Sequence, residues 1–223
     1  MADAPRVPPI SKPPIRLAVC VSGGGTTLQN LIDRIGAGTL HATISQVIAS
    51  RPRIGAIDRA QAAGIPVAVV RRADSPTLTA FSAAVFEPIR QSQADLVVLA
   101  GYLSLIEIPP DYEGRVINIH PSLIPAFCGR GFHGAAVHQA AIDTGVKVSG
   151  CTAHFADMTY DTGPIILQRV VPVLDGDTAQ TLAARVFEAE CDALPQAIAL
   201  YAAGRLQLEG RRVRVLEAGT DGP

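Results

Sequence analysis

No stretch of this 223-residue sequence reaches the roughly 20 consecutive apolar residues that a membrane-spanning helix requires, although 48% of its residues are apolar. Excess charge is also missing. The formal net charge is −1, with no long basic run, which argues against a nucleic-acid surface or a membrane-surface patch as the partner. The four cysteines, Cys20, Cys128, Cys151 and Cys191, form no CxxC pair and have no histidines at zinc-ligand spacing. Reduced thiols of a cytoplasmic protein and no bound metal are therefore expected. Residues 1–14 hold five prolines but lack the apolar core of a signal peptide, and they read as a flexible tail. Internal repeats and a second domain are absent from the pattern. One domain over 15–217, with a loose end at 218–223, is the expected organisation.

What is present is an alternation of buried strands and amphipathic helices. Ile15 to Val21 reads as a strand, and Leu28, Leu31, Ile32 and Ile35 follow at helical spacing. Further strands are expected at 43–49, 64–70, 95–100, 115–120, 151–155 and 165–173, with helices over 55–63, 77–91 and 135–143. Pro88 is expected to bend or shorten the third of the chain's helices. Asp177 with Gln180 reads as the capping box of a long last helix carrying the stripe Leu182, Val186, Ala193 and Ala197. Residues 204–216 read as a closing hairpin. The sum is a doubly wound α/β fold: a mostly parallel sheet with helices on both faces and a short C-terminal hairpin.

In such sheets ligands bind beyond the carboxyl ends of the strands, and two polar groups fall there. The first is Ser22-Gly23-Gly24-Gly25-Thr26-Thr27, a tight strand-to-helix turn whose free N–H groups and hydroxyls suit a phosphate. It is not a P-loop, since the required lysine is missing. A dinucleotide turn is equally disfavoured, because Leu28 stands where a third glycine is needed and Ser50-Arg51 where an acid is needed. The second is Asn118-Ile119-His120-Pro121, in which Asn118 and His120 share one strand face. Asp161 lies in a turn-forming Asp-Thr-Gly-Pro segment, and Glu190 lies within the apolar stripe of the last helix. A carboxylate there needs a partner, either a ligand hydroxyl or Arg185.

NIHPSLIPAF, preceded by VVLAGYL and followed by DTGPIILQ, resembles the folate-dependent formyltransferase family, and within it the members that act on phosphoribosylglycinamide. The likeness runs over roughly residues 15–209, with SGGGTTLQN similar to the family's phosphate turn. It implies transfer of the formyl group of 10-formyltetrahydrofolate, as co-substrate, to the amine of phosphoribosylglycinamide in purine synthesis, without a metal, by a monomer or homodimer. It assigns Asn118, His120 and Asp161 to catalysis, Gly25, Thr26 and Thr27 to the substrate phosphate, and Glu190 to the ribose. Leu103, Ser104, Ile106, Ala156, Asp157 and Tyr160 fall on folate-pocket positions, and His154 on a supporting one. In that chemistry Asn118 and a protonated His120 would face the oxyanion formed on the formyl carbon, with Asp161 favouring the imidazolium. Gly24, Thr27, Ser104 and Phe187 depart from common family residues, and the GRGFHG loop is longer than in some members. A formyltetrahydrofolate deformylase or a formyltransferase for another amine is the nearest alternative. A non-catalytic folate- or nucleotide-binding protein is the alternative of another class.

Overall fold

The structure, a computed structural model, describes residues 13–217, so almost all of the expected N-terminal tail and the expected loose end at 218–223 lie outside the described residues. Strands β1 (Ile15–Val21), β2 (Ala42–Ala49), β3 (Val67–Val69), β4 (Leu96–Leu99) and β5 (Val116–His120) are joined by helices α1 (Thr26–Gly36), α2 (Gly55–Ala62) and α3 (Leu78–Gln91). Then follow α4 (Ala135–Thr144), β6 (Val148–Phe155), β7 (Ile165–Pro172), α5 (Ala179–Ala202) and the hairpin β8 (Leu206–Glu209) and β9 (Arg212–Val215). All nine strands form one sheet in the order β3-β2-β1-β4-β5-β6-β7-β9-β8. The first five are parallel, whereas β6 runs antiparallel to both β5 and β7.

Period-two alternation explains why the central strands read as continuous apolar runs. Leu17, Val19 and Val21 of β1 enter one core, and Ala18 and Cys20 enter the other. The first core packs the sheet against α1, α2, α4 and α5; the second packs it against α3. No helix is long and apolar enough to cross a membrane among the described residues.

Three local expectations need correction. The third strand spans only Val67–Val69, because the preceding residues close the helix end: Gly64 sits at φ 69° and Ile65 N–H returns to the Ala60 carbonyl. Pro88 does not shorten α3, which continues to Gln91; the proline costs its turn one N–H donor. The capping box of α5 is Thr178 with Thr181, one residue later than expected. Asp177 instead accepts from Leu174 N–H at 2.8 Å and from Arg185, its ion-pair partner at 2.7 Å.

Candidate active site

The strand order reverses between β1 and β4, so the carboxyl ends of β1, β4 and β5 stand side by side. Above them lies a cavity of about 780 Å³ whose wall includes Thr26 and Thr27 after β1, Gly101 and Tyr102 after β4, and Asn118 and His120 of β5.

The turn after β1 is built to leave donors unused. Gly25 adopts φ 76° with no side-chain cap on α1, so N–H groups of the first helical turn are left for a ligand. A side chain at Gly25 would also meet Ala56 at 2.7 Å, so glycine is required there on two counts. Arg59 fastens the turn from outside, donating to the Gly24 carbonyl at 2.9 Å and to Gln29 at 3.1 Å. Ser22, buried beneath it, accepts from Ser50 at 2.8 Å and from Leu103 N–H at 3.0 Å. Through Ser22 the ends of β1, β2 and β4 are held in one piece.

The antiparallel pairing of β5 with β6 places His154 opposite Asn118, and cross-strand neighbours on one face touch. His154 Nδ1 lies 2.8 Å from the Phe155 carbonyl, an acceptor, so the ring hydrogen sits there and Nε2 presents a lone pair. Asn118 Nδ2 donates to that lone pair at 3.0 Å and to Asp161 Oδ1 at 3.3 Å. The amide cannot be turned over, since its oxygen would then face a lone pair and a carboxylate. Both Asn118 hydrogens are thus engaged inside the cluster.

Asp161 arrives from the 156–164 connection, which folds back over the sheet. Gly163 permits this approach, because a Cβ there would stand 1.8 Å from the Phe155 carbonyl. Asp161 itself takes φ 57°, a left-handed conformation that aspartate tolerates better than most residues. Its Oδ2 accepts from Gly129 N–H at 2.8 Å and lies 3.5 Å from His120 Nδ1. Burial pushes the Asp161 carboxyl up, but the hydrogen bonds and charges of its neighbours, the Gly129 N–H among them, outweigh it and hold it below the usual carboxylate range.

His120 is 4% exposed, and its Nε2 lies 2.9 Å from the Phe127 carbonyl. That nitrogen therefore carries the hydrogen and Nδ1 is a lone pair facing Asp161. Burial lowers the His120 pKa below the ordinary value; Asp161 and the Phe127 carbonyl oppose this only in part. Burial thus works against the protonated histidine expected from the sequence, and the Asp161 carboxylate at 3.5 Å works for it. Burial carries more weight than the carboxylate at 3.5 Å. The arrangement is suited to taking up a proton at Nδ1, where the new charge would lie against Asp161.

Of the other expected site residues, Leu103, Tyr160 and Glu190 line the same cavity as Asn118, His120 and Asp161. Glu190 is 9% exposed, and burial pushes its carboxyl up to about 8, so it is protonated at neutral pH. Arg185 is not its partner, being paired with Asp177. Ile106 is buried in the α3-side core with Ala156 packed against it, behind the cavity wall. Asp157 turns into its own loop, accepting from Thr162 Oγ1 at 2.7 Å and Thr159 N–H at 2.9 Å. Ser104 is partly buried and does not reach the wall. Ser122 donates to the Ala126 carbonyl at 2.6 Å, and Cys128 Sγ rests 3.3 Å from the Pro125 carbonyl; both brace the loop after β5.

Sequence reasoning missed the clasp made by Ser22, and with it Arg59, the Phe127 carbonyl and His138. Only His138 carried a signal, a histidine between Val137 and Ala141 on the inward stripe of α4.

The sequence profile of the formyl transferase family matches residues 15–198. A chloroplastic phosphoribosylglycinamide formyltransferase from Vigna unguiculata is 42% identical over 177 residues, 78% of this chain and 57% of that protein. The trifunctional purine biosynthetic protein adenosine-3 of Drosophila pseudoobscura pseudoobscura is 39% identical over 202 residues, 89% of this chain and 14% of that protein. The chain thus spans little more than half, or much less, of these curated relatives. Among solved structures, glycinamide ribonucleotide transformylase 1 from Symbiobacterium toebii superposes with a TM-score of 0.84 at 43% identity, covering 91% of this chain and 94% of that one.

Proposed function

This chain belongs to the formyl transferase family, and we propose that it transfers the formyl group of 10-formyltetrahydrofolate to the amine of phosphoribosylglycinamide, a step of purine synthesis in the cytoplasm. The observation that carries this reading is the meeting of Asn118, His120 and Asp161 in the wall of a cavity of about 780 Å³. Relatives named for that reaction support the choice of substrates.

The amine attacks the formyl carbon in its neutral form and must then lose a proton. His120 Nδ1 receives it, directly or through one water, and the imidazolium so formed is stabilised by Asp161. The same proton then reaches N10 as that nitrogen departs. The former formyl oxygen becomes an oxyanion and needs a donor, and losing one such donor costs about 3 kcal/mol in other acyl-transfer sites. Asn118 Nδ2 supplies it by exchanging its longer bond, the 3.3 Å contact to Asp161, as Asp161 turns to the newly charged His120. His154 keeps the amide oriented throughout. Gly25, Thr26 and Thr27 hold the substrate phosphate at the start of α1, and protonated Glu190 both donates to and accepts from the ribose hydroxyls. The folate lies along Leu103 and Tyr160, with Ser104, Ile106, Ala156 and Asp157 shaping the segments behind them.

The test is to incubate the purified protein with 10-formyltetrahydrofolate and phosphoribosylglycinamide and identify the product by mass spectrometry. Formylated glycinamide ribonucleotide is expected, with little formate released when the amine is omitted. Equal formate release without the amine would make the protein a deformylase and overturn the proposal.

A further inference from the structure

Helix α4 turns Val137, His138 and Ala141 inward. His138 is 4% exposed, yet it lines the cavity. Its Nδ1 is sealed from solvent and has no hydrogen-bond partner among the described residues, which leaves Nε2 as the ring nitrogen that faces the cavity. Nδ1 is unpaired in either tautomer, but a hydrogen there would bury an orphan N–H, which folded proteins tolerate less often than an orphan acceptor. The hydrogen therefore resides on Nε2. A second proton is disfavoured by burial and by the neighbouring His120, both of which lower the pKa of this ring. Glu190, from α5 on the same side of the cavity, is itself protonated at neutral pH and adds no charge that would reverse this.

His138 thus presents a neutral N–H donor to the cavity, whereas the donors of Asn118 and His120 are engaged within the protein. The Asn118 hydrogens go to His154 and Asp161, and the His120 hydrogen goes to Phe127. The side of the cavity matters as well. Ala141 of α4 shares its core with Leu28 and Leu31 of α1 and Leu182 of α5, and these are the helices that bring Thr26, Thr27 and Glu190 to the wall. Leu103 and Tyr160 are tied to each other, the Tyr160 hydroxyl donating to the Leu103 carbonyl at 3.3 Å, and they come from the segments after β4 and β6.

We infer that His138 is a substrate-binding residue whose Nε2–H donates to a neutral oxygen of the phosphorylated amine substrate. The inference rests on the reading given under Proposed function. His138→Leu keeps apolar volume without a donor, and His138→Gln restores an N–H at a similar reach. The leucine variant is expected to raise KM for the amine about tenfold, the equivalent of one neutral hydrogen bond. KM for the formyl donor and kcat should stay within about twofold, and glutamine should recover most of the loss. In the wild-type protein, adding the phosphorylated amine alone should shift the His138 Nε2–H resonance. An unchanged amine KM in His138→Leu, equal impairment of both variants with normal thermal unfolding, or a ring hydrogen found on Nδ1 would each overturn it. If wild-type protein forms no formylated product, it is the reaction that is misassigned; the resonance shift still decides the role of His138.

Discussion

At the scale of single residues, the site depends on how burial and charge divide between two side chains 3.5 Å apart, His120 and Asp161. Burial lowers the imidazole below its ordinary pKa, and Asp161 opposes the shift without cancelling it. Only the neutral ring accepts a proton, so kcat/KM is expected to fall as pH drops through the depressed His120 pKa, below 6.5. Asp161→Asn removes an influence that raises this pKa, so the pH profile of the remaining activity should move further down. His120→Ala and Asp161→Asn should each lower kcat by about 100- to 10,000-fold while substrate binding by calorimetry largely survives. Full turnover by either folded variant would remove it from the catalytic set. Glu190 has the opposite signature. Its folded pKa of about 8 exceeds the ordinary 4.5, so its contribution to stability is complete below 4.5 and is lost as pH rises toward 8. The slope is at most about 1.4 kcal/mol per pH unit. Urea unfolding at pH 5 and pH 8 should show wild type losing more stability over this interval than Glu190→Gln, and equal losses would refute the shift.

At the scale of elements, the start of α1 is the clearest case of sequence chemistry shaping a candidate ligand site. Gly25 permits the left-handed turn and the close approach of Ala56, and the uncapped first turn then offers its N–H groups together with the Thr26 hydroxyl. Removing that hydroxyl should weaken the phosphorylated substrate roughly tenfold, because hydrogen bonds to charged groups contribute about 1.5–3 kcal/mol. A dephosphorylated analogue should be little affected. Calorimetry on Thr26→Ala with both ligands checks this, and equal weakening of the two would count against a phosphate at this turn. The β5–β6 pair is the second such element. Its register sets His154 opposite Asn118, so a supporting side chain is delivered by strand pairing rather than by any local motif.

At the scale of the whole molecule, one sheet carries apolar side chains on both faces, and its two cores meet at every central strand. The site draws on the turn after β1, the end of β5, the 156–164 connection and helices α4 and α5, so its geometry persists only while these remain packed together. Residues 15–217 are accordingly expected to unfold as one unit. Backbone circular dichroism and tyrosine fluorescence should give coincident denaturant transitions; separated midpoints would divide the chain into independent parts.

Composition, period-two strands and the residue types at Gly25, Asn118 and His120 were enough to indicate an α/β sheet with candidate chemistry at its strand ends, whereas Asp161 was singled out by the family resemblance. Alternating apolar burial and turn geometry are local, and a sequence displays local physics directly. The Thr178 cap, the short β3 and the pairing of Arg185 with Asp177 were not legible, because each depends on which of several equivalent partners comes within reach. The same holds inside the site. That the His120 pKa is lowered, that both Asn118 hydrogens are engaged, and that His138 faces the cavity were decided by burial and by contacts between residues far apart in the chain. A side chain's type fixes what it can donate or accept, whereas its solvent exposure and its neighbours, which exist only in the folded chain, fix which of those bonds it makes.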